Sequence, residues 1–142
     1  MNYRTTSANE TERLGEALAA RLKAGDTVAL FGGLGAGKTA FVRGLARGLG
    51  HTGRVTSPTF AIVNEYLPER GGRQTLPLFH FDMYRLSSAD ELFDIGWEDY
   101  LARGGVCAVE WSENVAEALP RDCIRVTIAP IDESTREIEI SD

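Results

Sequence analysis

The sequence is poor in the residues that build covalently or metal-held folds. It carries two cysteines, Cys107 and Cys123, and two histidines, His51 and His80, in 142 residues. There is no C-x-x-C, and the histidines stand far apart without zinc-ligand spacing. Both cysteines lie in apolar runs, so buried free thiols are expected rather than a disulfide or a metal site. No apolar run approaches a membrane span. Met1–Thr6 lacks the apolar region of an export signal, which points to a cytoplasmic protein with no membrane association. Positive charge is also short: 15 Lys and Arg against 21 Asp and Glu leave a net charge of −6. Tight autonomous binding of nucleic acid needs clustered basic side chains, so any role with RNA or DNA should run through a partner. Repeats, low-complexity tracts and linkers are missing as well. The length fits one domain, 1–142, with little room for a separate substrate domain.

Against this background one stretch stands out. Gly32-Gly33-Leu34-Gly35-Ala36-Gly37-Lys38-Thr39 fits G-x-x-x-x-G-K-[ST], the phosphate-binding P-loop. Upstream, Thr27–Phe31 is a short apolar run that reads as a buried strand. Downstream, Ala40–Leu49 has helical spacing, with Phe41, Val42, Leu45, Ala46 and Leu49 on one face. Strand, glycine-rich loop and helix form the arrangement a phosphate site needs. The glycines let backbone N–H groups of residues 33 to 37 turn inward as an anion nest, and the helix adds its positive N-terminal end. Gly33, Leu34, Gly35, Ala36 and Gly37 are thus expected to bind nucleotide. Lys38 is expected to reach the β- and γ-phosphates, and Thr39 to offer its hydroxyl to Mg²⁺.

A P-loop also needs an acid on the Mg²⁺ side, usually ending a neighbouring hydrophobic strand. Asp82 ends Leu78-Phe79-His80-Phe81, and Glu110 ends Val106-Cys107-Ala108-Val109. Ligands of open parallel sheets gather at the carboxyl ends of strands, so both acids can face the phosphates. Glu110 follows the purer buried-strand run and better fits the metal-side position. Asp82 fits the metal's water shell or the orientation of an attacking water. The bland alternative for either acid is a strand-end cap. Thr56-Ser57-Pro58-Thr59-Phe60 lies where many P-loop proteins keep a switch segment, which makes Ser57 and Thr59 candidates for sensing the γ-phosphate; an ordinary Ser-Pro turn is equally compatible.

The remaining chain supplies a frame. Ser7 and Glu10 have capping-box spacing and open a helix to about Lys23, with Leu14, Ala17, Leu18, Arg21 and Leu22 on its inner face. This helix reads as a sheet cover, with a place near the nucleotide base as the alternative. Phe60–Tyr66 and Leu76–Asp82 read as strands joined by a hairpin loop. Ser88 and Glu91 repeat the capping box before a short helix through Phe93, and Trp97–Leu101 follows as another turn of helix. The acids there, Asp90, Glu91, Asp94, Glu98 and Asp99, read as a solvated face, with partner docking as the sharper alternative. Ser112–Leu119 reads as a short helix, then Cys123–Ala129 and Arg136–Ile140 as strands. The order predicts an α/β P-loop NTPase-type domain: a mostly parallel central sheet, antiparallel strands added at one side, and helices on both faces.

Other P-loop classes fit less well. No N-K-x-D guanine-reading segment is present, which favours ATP. The short Glu69–Arg73 stretch is a poor lid for a small-molecule kinase, and no acceptor pocket is evident in the sequence. A small Mg²⁺-dependent ATPase with a conformational output remains, with a nucleotide-gated binding module or a small-molecule kinase as alternatives.

Four segments together resemble the bacterial TsaE (YjeE) family of tRNA threonylcarbamoyladenosine (t⁶A) biosynthesis. They are Gly32–Thr39, Thr56–Phe60, His80-Phe81-Asp82-Met83-Tyr84-Arg85-Leu86 and Val109-Glu110-Trp111. The resemblance covers about residues 7 to 120. It implies a partner-dependent ATPase that acts on a TsaD–TsaB transferase complex, with tRNA involved only indirectly. It also implies that Lys38 and Thr39 hold phosphate and Mg²⁺, that Glu110 is the Mg²⁺-side acid, and that Asp82 is catalytic. By the same resemblance Thr59 lies in the switch-like loop, Trp111 beside the site, and Ala8 and Arg136 toward the adenine. A core aromatic is the alternative for Trp111.

Overall fold

The computed structural model describes residues 1–33, 35–56, 58 and 62–141. Seven strands form one sheet: β1 (Asn2–Thr5), β2 (Thr27–Phe31), β3 (Val63–Tyr66), β4 (Leu78–Asp82), β5 (Val106–Glu110), β6 (Ile124–Pro130) and β7 (Arg136–Ser141), in the order β1-β7-β6-β2-β5-β4-β3. The central strands β6, β2, β5 and β4 run parallel. The helices are α1 (Ala8–Ala19), α2 (Lys38–Gly48), α3 (Ala89–Asp94) and α4 (Trp97–Ala102), with a 3₁₀ segment at Ser112–Ala118.

The central strands are apolar on both faces because both faces are covered. Alternation divides their side chains. Val28, Leu30, Leu78, Val106 and Ala108 pack with Phe41, Val42, Leu45 and Leu18 of α2 and α1. Phe79, Phe81, Cys107 and Val109 point the other way, to Leu92, Trp97 and Val115. Phe81 meets Trp97 edge-on with ring centroids 5.1 Å apart. Helices thus lie on both faces of the mixed sheet, in agreement with the α/β reading.

The antiparallel strands lie at both edges, not at one side. β3 flanks β4, while β7 and then β1 extend the opposite edge. Strand β1 has no apolar signature because it is an edge strand: it pairs Tyr3 with Ile138, and the exposed Arg4 meets Glu137 at 2.6 Å. Charged, short edges resist pairing with other chains. The first residues of the expected strand at 60–66 lie outside the described residues, and β3 begins at Val63.

The first capping box forms its serine half: the Ser7 hydroxyl accepts from Glu10 N at 3.1 Å, while the Glu10 carboxylate reaches one residue past the cap to Thr6 N. The second keeps only the glutamate half: Ser88 makes no side-chain cap bond, and Glu91 likewise accepts from the residue before the cap, from the Ser87 hydroxyl at 2.6 Å. Four of the five acids of this region are exposed, and Glu91 is half-buried. The inner face of α1 also differs from the expectation. Ala17 and Arg21 are exposed, whereas Thr11, Gly15, Leu18 and Ala19 are buried. The reason is the close crossing of α1 and α2. A Cβ on Gly44 would fall inside the contact distance of the Glu12 carbonyl, and one on Gly15 would strike the Phe41 carbonyl. Glycine at these positions lets the two backbones approach, and the buried stripe rotates toward the contact.

Two measurements check this packing. Gly44→Ala should lower unfolding free energy by about 1–3 kcal/mol in a denaturant titration, the usual cost of overpacking a close contact; an unchanged midpoint would contradict the crossing. Burial pushes the Cys107 thiol up from an ordinary 9.0 to about 12. A raised thiol keeps its proton in the folded state while the unfolded chain loses it. Stability from this group is therefore complete below pH 9 and is lost as pH rises toward 12, at roughly 1.4 kcal/mol per pH unit. The alkaline slope of stability against pH should flatten in Cys107→Ala.

Candidate functional site

The parallel register builds the site. Val28 pairs with Ala108 and Asp82 with Glu110, so β2, β5 and β4 finish side by side at one end of the sheet. At that end β2 passes into the glycine-rich loop. Gly37 caps α2 with φ of 104°, a left-handed conformation that suits glycine and turns the chain sharply into the helix. Side chains alternate, so His80, Asp82, Ala108 and Glu110 lie on the face toward α2. Both expected acids therefore point at the start of that helix.

The contacts at this end are short and polar. Lys38 is buried, and its Nζ donates to the Gly32 carbonyl at 2.6 Å while lying 3.6 Å from the centre of the Trp111 ring. Burial lowers the Lys38 pKa, and the nearby Glu110, Glu113 and Asp82 charges pull it back up. The Thr39 hydroxyl donates to Glu110 at 3.1 Å. Glu110 is also buried, and the same Oε2 accepts from His80 Nε2. Asp82 stands one strand spacing away, roughly 4.8 Å, and its Oδ1 accepts from Tyr84 N at 3.0 Å. A cavity of about 390 Å³ runs from Ala8 past Gly37, Lys38 and Thr39 to Asp82, Glu110 and Trp111. A larger cleft of about 550 Å³ opens on the other side of Thr39, walled by Arg43, His51, Arg54 and Thr56.

Among the described residues no group of three His, Cys, Asp or Glu is placed to hold a metal on its own. One hydroxyl with two adjacent carboxylates is instead the kind of donor set that suits Mg²⁺, which prefers oxygen and takes its remaining ligands from phosphate and water. The residues present fit that ion.

The structure brings Gly35, Ala36, Gly37, Lys38, Thr39, Asp82, Glu110 and Trp111 around one cavity, with Gly33 exposed at the loop's entry. Leu34, Ser57 and Thr59 lie outside the described residues. Trp111 has φ of 58°, and among the described residues it is the one non-glycine in the left-handed region. That turn, directly after Glu110, folds the indole back over Lys38; the exposed Tyr84 ring packs against it at 5.0 Å. Arg136 lies against the backbone of the loop. Its Nε donates to Ala36 O at 2.9 Å and one terminal nitrogen to Gly35 O at 3.2 Å, while the other donates to Asp132 O at 2.8 Å. It ties the β6–β7 turn to the outside of the loop. His80 and Glu113 join the site without a role assigned to them from sequence. His80 opens the His80–Leu86 segment as a histidine inside an apolar strand, and Glu113 is an acid two residues beyond Trp111.

Sheet topology, glycine-rich loop and strand-end acids define an α/β domain of the P-loop NTPase type. The family model for the threonylcarbamoyl adenosine biosynthesis protein TsaE matches residues 5–138, and the chain belongs to that family. Relatives described as tRNA threonylcarbamoyladenosine biosynthesis protein TsaE include one from Bacillus subtilis, 41% identical over 97% of this chain and 83% of its own length. One from Treponema pallidum is 42% identical over 95% and 96%, and one from Streptomyces coelicolor 47% identical over 81% and 76%. The crystal structure of Bacillus YdiB superimposes with a TM-score of 0.77 at 36% identity, covering 97% of this chain and 82% of that one.

The role of Arg136 is open to measurement. Arg136→Met should speed hydrogen exchange at the amides of Ala36 and Gly37 and weaken nucleotide binding about tenfold, the effect of losing a charged hydrogen bond. Arg136→Lys should not restore either, because one ammonium cannot span both carbonyls and the turn. Unchanged exchange in Arg136→Met would remove the bracing role.

Proposed function

We propose that this chain is a Mg²⁺-dependent ATPase of t⁶A formation, acting in the cytoplasm on a TsaD–TsaB-type transferase complex while the partners handle the tRNA. The observation that carries the ATPase reading is the Thr39–Glu110 contact beside Lys38, at the mouth of the loop. It aligns a phosphate-binding amide nest, a cation and a metal-side acid along one cavity. The family membership supports the pathway, since the relatives bear that name.

Each residue then has a definite task. The amides of residues 33 to 37 and the N-terminal end of α2 hold the β-phosphate. Lys38 leaves the Gly32 carbonyl and follows the γ-phosphate, and Trp111 flanks the path it takes. Thr39 and Glu110 would hold Mg²⁺, which would supply positive charge against that developing on the phosphates. Asp82, beside Glu110 and half-exposed, orients the attacking water. Phosphoryl transfer depends on such positioning, so a group supplied by a partner can raise the rate by orders of magnitude. The net charge of −6 suits a protein that leaves the RNA to others.

The test is a set of three variants. Lys38→Ala, Glu110→Gln and Asp82→Asn should each cut phosphate release from ATP by roughly a hundredfold or more, and Lys38→Ala should stop multiple-turnover t⁶A formation in a reconstituted system. If Glu110→Gln binds ATP, fails to hydrolyse it and still sustains many turnovers, nucleotide binding alone is the signal and the ATPase reading falls. Phosphate appearing on an added metabolite would make the chain a kinase instead.

A further inference from the structure

We propose that His80 is a positioning residue for the metal-side acid: it holds the Glu110 carboxylate in the orientation that receives Mg²⁺ together with Thr39. The inference rests on the reading of Glu110 as a metal ligand.

A histidine is a costly residue at this position. His80 sits in the middle of β4 between Phe79 and Phe81, and like them it is fully buried. Its flanking pairs are Asn64 on β3 and Ala108 on β5. An apolar side chain at this place would fill the core without any polar penalty. The imidazole makes one polar contact, from Nε2 to Glu110 Oε2; its Nδ1 is buried with no partner among the described residues. A histidine serving the fold would be satisfied at both nitrogens, because unpaired buried polar atoms destabilise. Here the ring is satisfied only toward the acid.

Geometry says what that contact does. Glu110 is the last residue of β5 and is buried, so its side chain is gripped from two sides. His80 reaches it from within the sheet, and the Thr39 hydroxyl reaches it from the first turn of α2. The His80 contact and the shorter Thr39 bond both fall on Oε2, which fixes the side-chain torsions and leaves Oε1, 3.4 Å from the Thr39 hydroxyl, the less engaged oxygen at the cavity. Asp82 is half-exposed, and its Oδ1 accepts from the Tyr84 backbone. The two neighbouring acids therefore differ in burial: Glu110 is buried and Asp82 stands at the rim. Groups that orient a metal-bound side chain commonly govern metal affinity by roughly 10- to 100-fold.

The experiment measures metal rather than turnover. Mn²⁺ is titrated by electron paramagnetic resonance into the full chain with saturating ADP, alongside ADP binding without metal. His80→Leu should weaken Mn²⁺ by roughly 10- to 100-fold and leave metal-free ADP binding unchanged. His80→Gln, whose amide can still donate to Glu110, should recover part of the loss. A folded His80→Leu with wild-type Mn²⁺ affinity overturns the inference, and so does an equal loss of metal-free ADP binding in both variants, which would mark a purely structural residue. If His80→Leu does not fold, the wild type decides by nitrogen NMR: the His80 Nε2 resonance should move when Mg²⁺ joins the ADP complex, and a resonance that Mg²⁺ leaves in place overturns the proposal. Failure of the wild type to bind Mn²⁺ with ADP would instead strike the ATPase reading itself.

Discussion

The parallel pairing of β2 with β5 and of β5 with β4 is the constraint on which the rest depends. It ends three strands at one level, so that Asp82 and Glu110 become neighbours and both face the helix that follows the glycine-rich loop. A slip of one residue in either pairing would turn an acid to the opposite face, toward the apolar cluster of Leu92 and Trp97. The hydrophobic alternation that fills two separate cores therefore also aims the polar groups. Burial of Leu78 and Val106 on the α2 face specifies where Asp82 and Glu110 point, four residues further along each strand.

The two helices on that face meet the same demand. Lys38 and Thr39 can reach β5 only if α2 lies close to the sheet, and α2 is held there by α1. Gly15 and Gly44 remove the side chains that would keep the two helix backbones apart. Ala8, at the start of α1, then lines the same cavity as the loop. Arg136 braces the loop from the other side, from a strand 100 residues away in sequence. A loop of several glycines has little stiffness of its own, so its shape is imposed by these contacts. An ordered loop before ligand arrives reduces the entropy lost on binding.

Much of this was legible in the sequence where a pattern is local. The loop, its strand and its helix follow from spacing alone, and the apolar runs mark β4 and β5 with their terminal acids. What is carried by long-range contact was not. β1 is four residues, mostly polar, that become a strand because β7 offers an edge. Arg136 reads as any strand residue until the fold places it on the loop carbonyls. The inner face of α1 cannot be read from its own apolar residues, since two glycines and a neighbouring helix decide which side is buried. His80 is legible as the start of the His80–Leu86 segment and as a polar ring in an apolar strand, but not in its role. Its partner lies 30 residues on, and only the β4–β5 register brings them together.

The charge of the site carries a final consequence. Glu110, Glu113 and Asp82 surround the ammonium of Lys38, and Glu113 also accepts from the Gly32 amide. Carboxylates outnumber the lysine, so a bare polyphosphate entering here would be drawn by backbone amides and repelled by side chains. In a partly buried site that repulsion is poorly screened. On the proposed reading, a divalent cation carried with the phosphates would reverse the sign, since Glu110 would become its ligand. An acidic chain can thus select a metal–nucleotide pair over either component alone. The selection needs Glu110 held still, because a carboxylate free to swing toward Lys38 would neutralise the cation that the phosphate requires. Bonds from His80 and Thr39 keep it apart, and this separation of one buried anion from one buried cation is what the strand register and the helix crossing jointly maintain.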